Sequence, residues 1–448
     1  MEGIHNISAG TLSNMKHFWC HAFFALLHFC GIVVKSVQVL SYIFYRSHEN
    51  LKGAMMTIAA KIDVVLEKAS WIRKMFEEGA RLKAEYGAEH VFDFSLGNPN
   101  LEPPERFKEA VISAAKATGT GHHSYMPNTG YPFVRKAVAE FLSKEQGVLV
   151  AADEVIMTCG AAGALNVILK AILDPGDEVV TPAPYFVEYG FYVDNHGGVL
   201  KTVATEPDFS LDLESIQGAI TSKTKAVLIN SPNNPSGQVY FRESLVALGD
   251  LLREEGGRRS RTIYLISDEP YRKITFDGIS VPALFSCYAE SMIATSYSKD
   301  LSIPGERIGF LAVNPDATHK GDLLAGMALA NRILGYVNAP ALMQRAIGSL
   351  QGISVDMSIY QAKRDLLCNG LSDCGYEFVT PKGAFYLFPK TPIADDVAFV
   401  HGLQEERILT VPGRGFGSPG FFRIAFCVDD NTIKNAMPGF QRVLKQFS

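Results

Sequence analysis

From residue 104 onward two hydrophobic patterns alternate along the chain. "PPERFKEAVISAAKAT" and "GYPFVRKAVAEFLSKEQG" place apolar residues at helical spacing with charges between them. After them come short runs, apolar throughout and bounded by turn residues. These are "EVIMTCG" (154–160), "DEVVTPAP" (177–184), "KAVLINSP" (225–232), "TIYLISDEP" (262–270), "SMIATSYS" (291–298) and "RIGFLAV" (307–313). Runs this short with no polar face read as strands covered on both sides of a sheet. "AAGALNVILKAIL" and "RESLVALGDLLREEG" supply crossover helices, so the pattern predicts an α/β fold around a mostly parallel sheet with helices on both faces. "REEGGRRSRT" (253–262), charged and interrupted by glycines, reads as a solvated loop.

Past residue 338 the pattern changes. "PALMQRAIGSLQGISVDMSIYQAKRDLLCNGLSDCG" reads as one long helical stretch. "YEFVTPKGAFYLFP", "RILTVPGRGFG" and "FFRIAFCV" then read as a small mixed sheet with a closing helix. We expect a large domain over 104–337 and a smaller α+β domain that combines 338–448 with 56–103. No internal repeat or low-complexity tract interrupts this order.

Residues 1–55 stand apart. "HFWCHAFFALLHFCGIVV" (17–34) is nearly uncharged between Lys16 and Lys35, and apolar residues continue to Tyr45. The stretch is close to the shortest membrane span, yet it holds three histidines. Three readings fit: a membrane anchor over 17–45, a targeting peptide, or upstream sequence from a start codon set too early. "MMTIAAKIDVVLEKASWIRKMFEEG", from Met55, reads as a natural first helix. His17, Cys20 and His21 share one helical turn but no further ligands accompany them, so no metal is expected.

Composition narrows the function classes. The chain has 448 residues, 47 % hydrophobic and 20 % charged, which describes a folded globular protein. A net charge of -5 offers no basic field to nucleic acid. Seven cysteines without a C-x-x-C spacing suit a reducing compartment, the cytoplasm.

Chemistry enters at the strand ends, where open α/β sheets collect ligands. "KAVLIN" runs into "SPNNPSG" with Asn234, "TIYLIS" into Asp268 and Tyr271, and "SMIATS" into Ser296 and Lys299. Each has an ordinary reading alone: an Asn before Pro forms turns, an Asp after a strand caps a helix, and a Lys can sit on any surface loop. The spacings, 34 residues from Asn234 to Asp268 and 31 from Asp268 to Lys299, fit successive units of about 30 residues and bring the three to one crevice. Arg307, in "PGERIGF" between Gly305 and Gly309, suits an anion held close to backbone.

"SYSKDLSIPGERIG", "SPNNPSG" and "SDEPY" resemble the class I aminotransferases, pyridoxal-phosphate enzymes of the aspartate aminotransferase fold, from about residue 56 to the C-terminus. The resemblance implies a seven-stranded large-domain sheet and a Schiff base between Lys299 and the aldehyde of pyridoxal 5'-phosphate. It also implies that the freed Lys299 amine carries the substrate proton. Asp268 would face the cofactor's ring nitrogen, Asn234 and Tyr271 its ring hydroxyl oxygen, and Phe186 of "APYFVEY" its face. Gly160, Ala161 and Ala162, at the strand-to-helix turn of "TCGAAGALNVIL", would cradle the phosphate with free N–H groups and the helix dipole. Ser296 and Arg307 would join them, with Tyr125 of the partner subunit, so a homodimer with shared sites is implied. Arg423 in "GFFRIAF", a cation inside an apolar run, would take the substrate α-carboxylate. Gly97 in "FSLGNPN" would let backbone approach the substrate, or simply make a turn. "PKGAFYLFP" (381–389) lies near the substrate in the family and is left outside the catalytic set.

The expected reaction moves the amino group of an L-amino acid to a 2-oxo acid, 2-oxoglutarate by family habit. Ala162 stands where some aspartate-using members carry lysine, Phe186 where Trp or Tyr is also found, and Arg332 has only its region to recommend it as a second carboxylate-binding arginine. The donor therefore stays open among aspartate, alanine, methionine and aromatic amino acids. Two other functions compete: a pyridoxal-phosphate lyase or decarboxylase on the same fold, and a non-enzymatic regulator. The regulator would need a basic winged-helix segment where residues 1–55 are apolar.

Overall fold

The computed structural model describes residues 58–63, 78–119 and 121–448. The first compact unit, Met1–Arg73, contributes only 58–63, with a helical turn over 60–63. The expectations for 1–55, and for most of the helix from Met55, lie outside the described residues. Among the described residues no helix is long and apolar enough to cross a membrane. The second unit, Lys74–Ser448, carries everything that follows.

After a short strand β1 (Phe92–Asp93), seven strands build the main sheet: β2 (Val155–Thr158), β3 (Glu178–Pro182), β4 (Val199–Val203), β5 (Thr224–Asn230), β6 (Tyr264–Asp268), β7 (Ser291–Ser296) and β8 (Gly309–Val313). Their order is β2-β8-β7-β6-β5-β3-β4, and only β8 runs antiparallel to its neighbours. Side chains alternate faces along a strand, and here both faces are apolar. Val227, Ile229, Leu265, Ile293 and Ala312 join one core with Val138 and Leu142 of the Pro132–Gln146 helix and Leu248 and Leu252 of the Arg242–Arg259 helix. Ala226, Leu228, Ile266, Met292 and Leu311 join the opposite core with Leu165, Ile168 and Leu169 of the Gly160–Ile172 helix.

Three sequence expectations are corrected. Strand β4 escaped notice because it is the sheet edge: Val199 is 49 % exposed, and Lys201 turns outward to an ion pair with Glu178 at 2.9 Å. Residues 253–259 are not loop but the last turns of the Arg242–Arg259 helix. There Glu255 is buried and paired with both Arg258 and Arg259. Gly256 is needed because a Cβ would lie 2.8 Å from the Arg261 carbonyl oxygen. The stretch after 338 is two helices, Ala341–Ile347 and Met357–Cys374. The second restarts where the Asp356 carboxylate accepts the Ser358 N–H.

The expected small mixed sheet is two small sheets. Strands β9 (Tyr386–Leu387), β11 (Val411–Pro412) and β12 (Phe422–Ala425) form an antiparallel sheet of order β11-β12-β9. Strand β10 (Ile408–Leu409) pairs in parallel with β1. A third core, rich in aromatics such as Phe94, Phe385, Phe422 and Phe440, binds these strands to the Asp430–Phe447 helix.

Candidate active site

Strands β5, β6 and β7 are neighbours, and their carboxyl ends carry the polar groups. Asn230, last in β5, sits in register with Asp268, last in β6. Its amide donates to the Asp268 backbone carbonyl at 2.7 Å, and its Oδ1 accepts the Asn234 N–H at 2.7 Å. One side chain thus folds the "SPNNPSG" turn back over the strand end and fixes Asn234. Within that turn the Ser236 N–H and hydroxyl both donate to Asn233 Oδ1.

Asp268 is buried, 5 % exposed. The Tyr189 hydroxyl donates to its Oδ2 at 2.6 Å, while its Oδ1 is buried with no partner among the described residues. Burial pushes the carboxyl up to about 7; the Tyr189 hydrogen bond opposes that, and the Glu269 charge adds to it. Three residues on, the Tyr271 and Tyr386 hydroxyls share a hydrogen bond of 2.9 Å.

Lys299 reaches in from the turn after β7. Its Nζ donates to the Gly97 carbonyl at 2.9 Å and lies 5.6 Å from the centre of the Phe385 ring. Burial, with the nearby Arg307 and Arg423 charges, brings its amine down to about 8, the neighbouring Cys427 opposing. Gly97 is required here for a local reason: a Cβ would fall 1.8 Å from the Tyr386 hydroxyl oxygen.

Arg423 occupies the central strand of the antiparallel sheet, 8 % exposed. It donates to Asn234 Oδ1 at 3.1 Å and to the Ser95 carbonyl at 2.6 Å, and stacks 4.8 Å from the rings of Tyr386 and Phe416. Its Nε is buried without a partner, and among the described residues no carboxylate pairs with it. A buried cation so placed is built to receive an anion.

A second anion cradle lies at the start of the Gly160–Ile172 helix. Gly160 has φ 72°, and Gly160, Ala161 and Ala162 supply the unpaired N–H groups of the first turn. The Arg307 guanidinium lies 3.1 Å from where a Gly160 Cβ would stand. Gly309 allows this approach, because its own Cβ would meet the Thr295 carbonyl oxygen at 2.3 Å and Gly160 Cα at 2.9 Å. Ser296 is buried at the end of β7, where its hydroxyl accepts the Ser298 N–H at 3.4 Å. The Phe186 ring meets Tyr189 edge-on, centroids 5.6 Å apart.

Two residues stay outside this cluster. Tyr125 is 90 % exposed and lines a surface groove with Tyr336 and Asn338. Arg332, in the last turn of the Lys320–Ile333 helix, is exposed. Sequence reasoning missed Tyr189, Tyr386 and Ser95. Tyr386 lay inside the "PKGAFYLFP" stretch already set aside, and Tyr189 is one helical turn past Phe186 in "APYFVEY".

Comparison with known proteins places the chain in a family. The aminotransferase class I and II family model matches residues 89–439. An aspartate/prephenate aminotransferase of Thermus thermophilus is 34 % identical over 365 residues, spanning 78 % of this chain and 90 % of that protein. An aspartate aminotransferase of Geobacillus stearothermophilus is 31 % identical over 386 residues, 82 % and 94 % of the two chains. Among solved structures, an amino transferase from Eubacterium rectale matches with a TM-score of 0.85 at 39 % identity, covering 88 % of this chain and 100 % of that one. Thermus thermophilus aspartate aminotransferase with maleate gives 0.77 at 30 % identity, with 87 % and 100 % covered. The chain belongs to the class I and II aminotransferases, enzymes that use pyridoxal phosphate to pass an amino group between an amino acid and a keto acid.

Proposed function

We propose that the enzyme transfers the amino group of an L-amino acid to 2-oxoglutarate, with Lys299 as the residue that holds the cofactor and then moves the proton at the substrate Cα. The observation that carries this reading is the orphaned Asp268 Oδ1, buried at a strand end, together with the Lys299 amine from the turn after the neighbouring strand, which has no acid partner among the described residues. The residues fit pyridoxal phosphate on three counts. A carboxylate in an apolar setting suits a protonated ring nitrogen, a glycine-opened helix start with Arg307 suits a phosphate, and Lys299 suits an aldehyde. Asp268 would hold the ring nitrogen, Asn234 and Tyr271 the ring hydroxyl, and Phe186 the ring face. Gly160, Ala161, Ala162, Ser296 and Arg307 would hold the phosphate, joined by Tyr125 of the partner subunit.

When bound, the cofactor supplies the electron sink that makes the substrate Cα–H acidic. The chain supplies the rest. Asp268 keeps the ring charge in place, and Tyr189 fixes which carboxylate oxygen is left for that task. Arg423 binds the α-carboxylate and, through Asn234, shares a hydrogen-bond network with the cofactor pocket. Gly97 lets Tyr386 and the substrate backbone approach closely. With its amine near 8, Lys299 can take a proton from Cα and return it elsewhere around neutral pH. The relatives' names make aspartate the first donor to try; Ala162 stands where some aspartate-using members carry lysine, and no second carboxylate-binding arginine is assigned, so the donor panel extends to alanine, methionine and aromatic amino acids. On the cysteine pattern we place the enzyme in the cytoplasm.

One experiment tests the lysine and the shared dimer together. Lys299→Ala should lose the visible absorbance of the lysine-bound cofactor and at least ~10³-fold in turnover. Tyr125→Ala should weaken cofactor retention. Mixed and refolded, the two variants should recover activity, because one site of the hybrid combines Lys299 from one chain with Tyr125 from the other. Near-normal activity in Lys299→Ala would sink the lysine assignment, and a mixture no better than its parts would sink the shared site.

A further inference from the structure

Behind the site lies a layer of charge that the reaction does not touch. Three of the residues assigned to the cofactor are followed in sequence by buried or half-buried charged residues: Asp268 by Glu269, Tyr271 by Arg272 and Lys273, Lys299 by Asp300. Lys273 Nζ meets Asp300 Oδ2 at 2.9 Å, and Arg272 meets Glu269 at 2.8 Å and Glu145 at 3.6 Å. With Ser296 and Tyr297 these side chains line a cavity of about 30 Å³, room for one water. Glu145 and Phe141 come from the Pro132–Gln146 helix, and Lys273 Nζ lies 5.0 Å from the Phe141 ring centre.

We propose that Lys273 and Asp300 are positioning residues for the reaction, a strap that holds the lysine-bearing turn against the loop carrying Asp268 and Tyr271. The inference rests on Lys299 being the cofactor lysine. All three oxygens of Asp300 are committed to geometry. Oδ1 accepts the Leu301 N–H at 3.0 Å and so shapes the turn next to Lys299, Oδ2 takes Lys273, and its carbonyl accepts the Val355 N–H at 2.8 Å. Glu269 is anchored likewise, taking the Ser267 hydroxyl at 2.8 Å beside Arg272. Stability alone is a poor reason for this arrangement, since a buried ion pair seldom outperforms a well-packed apolar pair. Register is a better one. Lys299 and Asp268 must meet one small molecule from two separate loops, and a misplacement of about 1 Å can cost ~10²-fold in rate.

The test uses the holoenzyme. Lys273→Met leaves the Asp300 carboxylate buried and unpaired, so its Tm should fall by several degrees. Lys273→Met with Asp300→Leu removes both charges, and its Tm should return to within ~2 °C of wild type. In both variants kcat should still fall ~10-fold while KM changes less than ~3-fold. The pH midpoint of the visible lysine–cofactor band should also move by ~0.5 unit or more. Besides the strap charges Glu145, Glu269, Arg272, Lys273 and Asp300, the groups facing Lys299 are Arg307, Arg423 and Cys427. A double variant that recovers Tm, midpoint and kcat together would make the pair merely structural and overturn the proposal. If the double variant does not fold, Asp300→Asn carries the decision: it should move the midpoint as well, and an unmoved midpoint overturns the strap. Lys299→Ala runs in parallel. If that variant keeps band and turnover, the lysine reading fails, whatever the strap variants do.

Discussion

Asp268 and Lys299 are opposite charges pushed toward neutrality by the same cause, removal from water. For Asp268 the sign of the pH effect follows directly. Its carboxyl lies near 7 in the folded chain against an ordinary 3.8, so cofactor-free folded protein holds a proton that the unfolded chain releases. That stability is fully present below about 4 and is lost as pH rises toward 7. Asp268→Asn should therefore flatten the pH dependence of cofactor-free stability by a few kcal/mol, at ~1.36 kcal/mol per pKa unit. Denaturant midpoints at acid and neutral pH check this, and equal slopes in variant and wild type would refute it. At this scale the sequence was readable where a residue type was chemically out of place, as with Arg423 in an apolar run. Tyr386 and Tyr189 were not readable, because a tyrosine among aromatics looks like core until its hydroxyl's partner is known.

The elements carry the site by a simple division. Parallel strands deliver Asn230 and Asp268 side by side, with Ser296 two residues past Asp268's partner Ala294 on β7, while the small antiparallel sheet brings Arg423 in on its central strand. Because both neighbours of that strand fix its register, the guanidinium is set where Asn234 and Ser95 meet it. Arg423→Ala should raise KM roughly 100-fold for amino acid and keto acid alike, since both present the same carboxylate. An effect confined to one of them would contradict the role. Buried strands were legible because both of their faces are apolar. The edge strand β4 was not, since half of it faces water, and the end of the Arg242–Arg259 helix was obscured by two glycines whose cost local ion pairs and close packing offset.

On the scale of the whole molecule the site forms where separate cores meet. Lys299 reaches across 202 residues of sequence to the Gly97 carbonyl, and Arg423 across 328 to Ser95. Strand ends can be counted from a hydrophobic pattern, but meetings of this range depend on packing that no local pattern encodes. The segment 95–97 is the clearest case: its glycine read equally as a turn or as a place for backbone to approach the substrate, and lysine, arginine and Tyr386 converge there. The central claim is that these groups together perform one amino transfer and then wait for an acceptor. It is tested most directly by giving the holoenzyme single L-amino acids, aspartate first, without any keto acid, and counting products per Lys299. The account predicts one keto acid per site, no ammonia, and a halt that 2-oxoglutarate relieves. Continued release of keto acid, ammonia or carbon dioxide without an acceptor would contradict it, and would mark the enzyme as a lyase or decarboxylase on this fold.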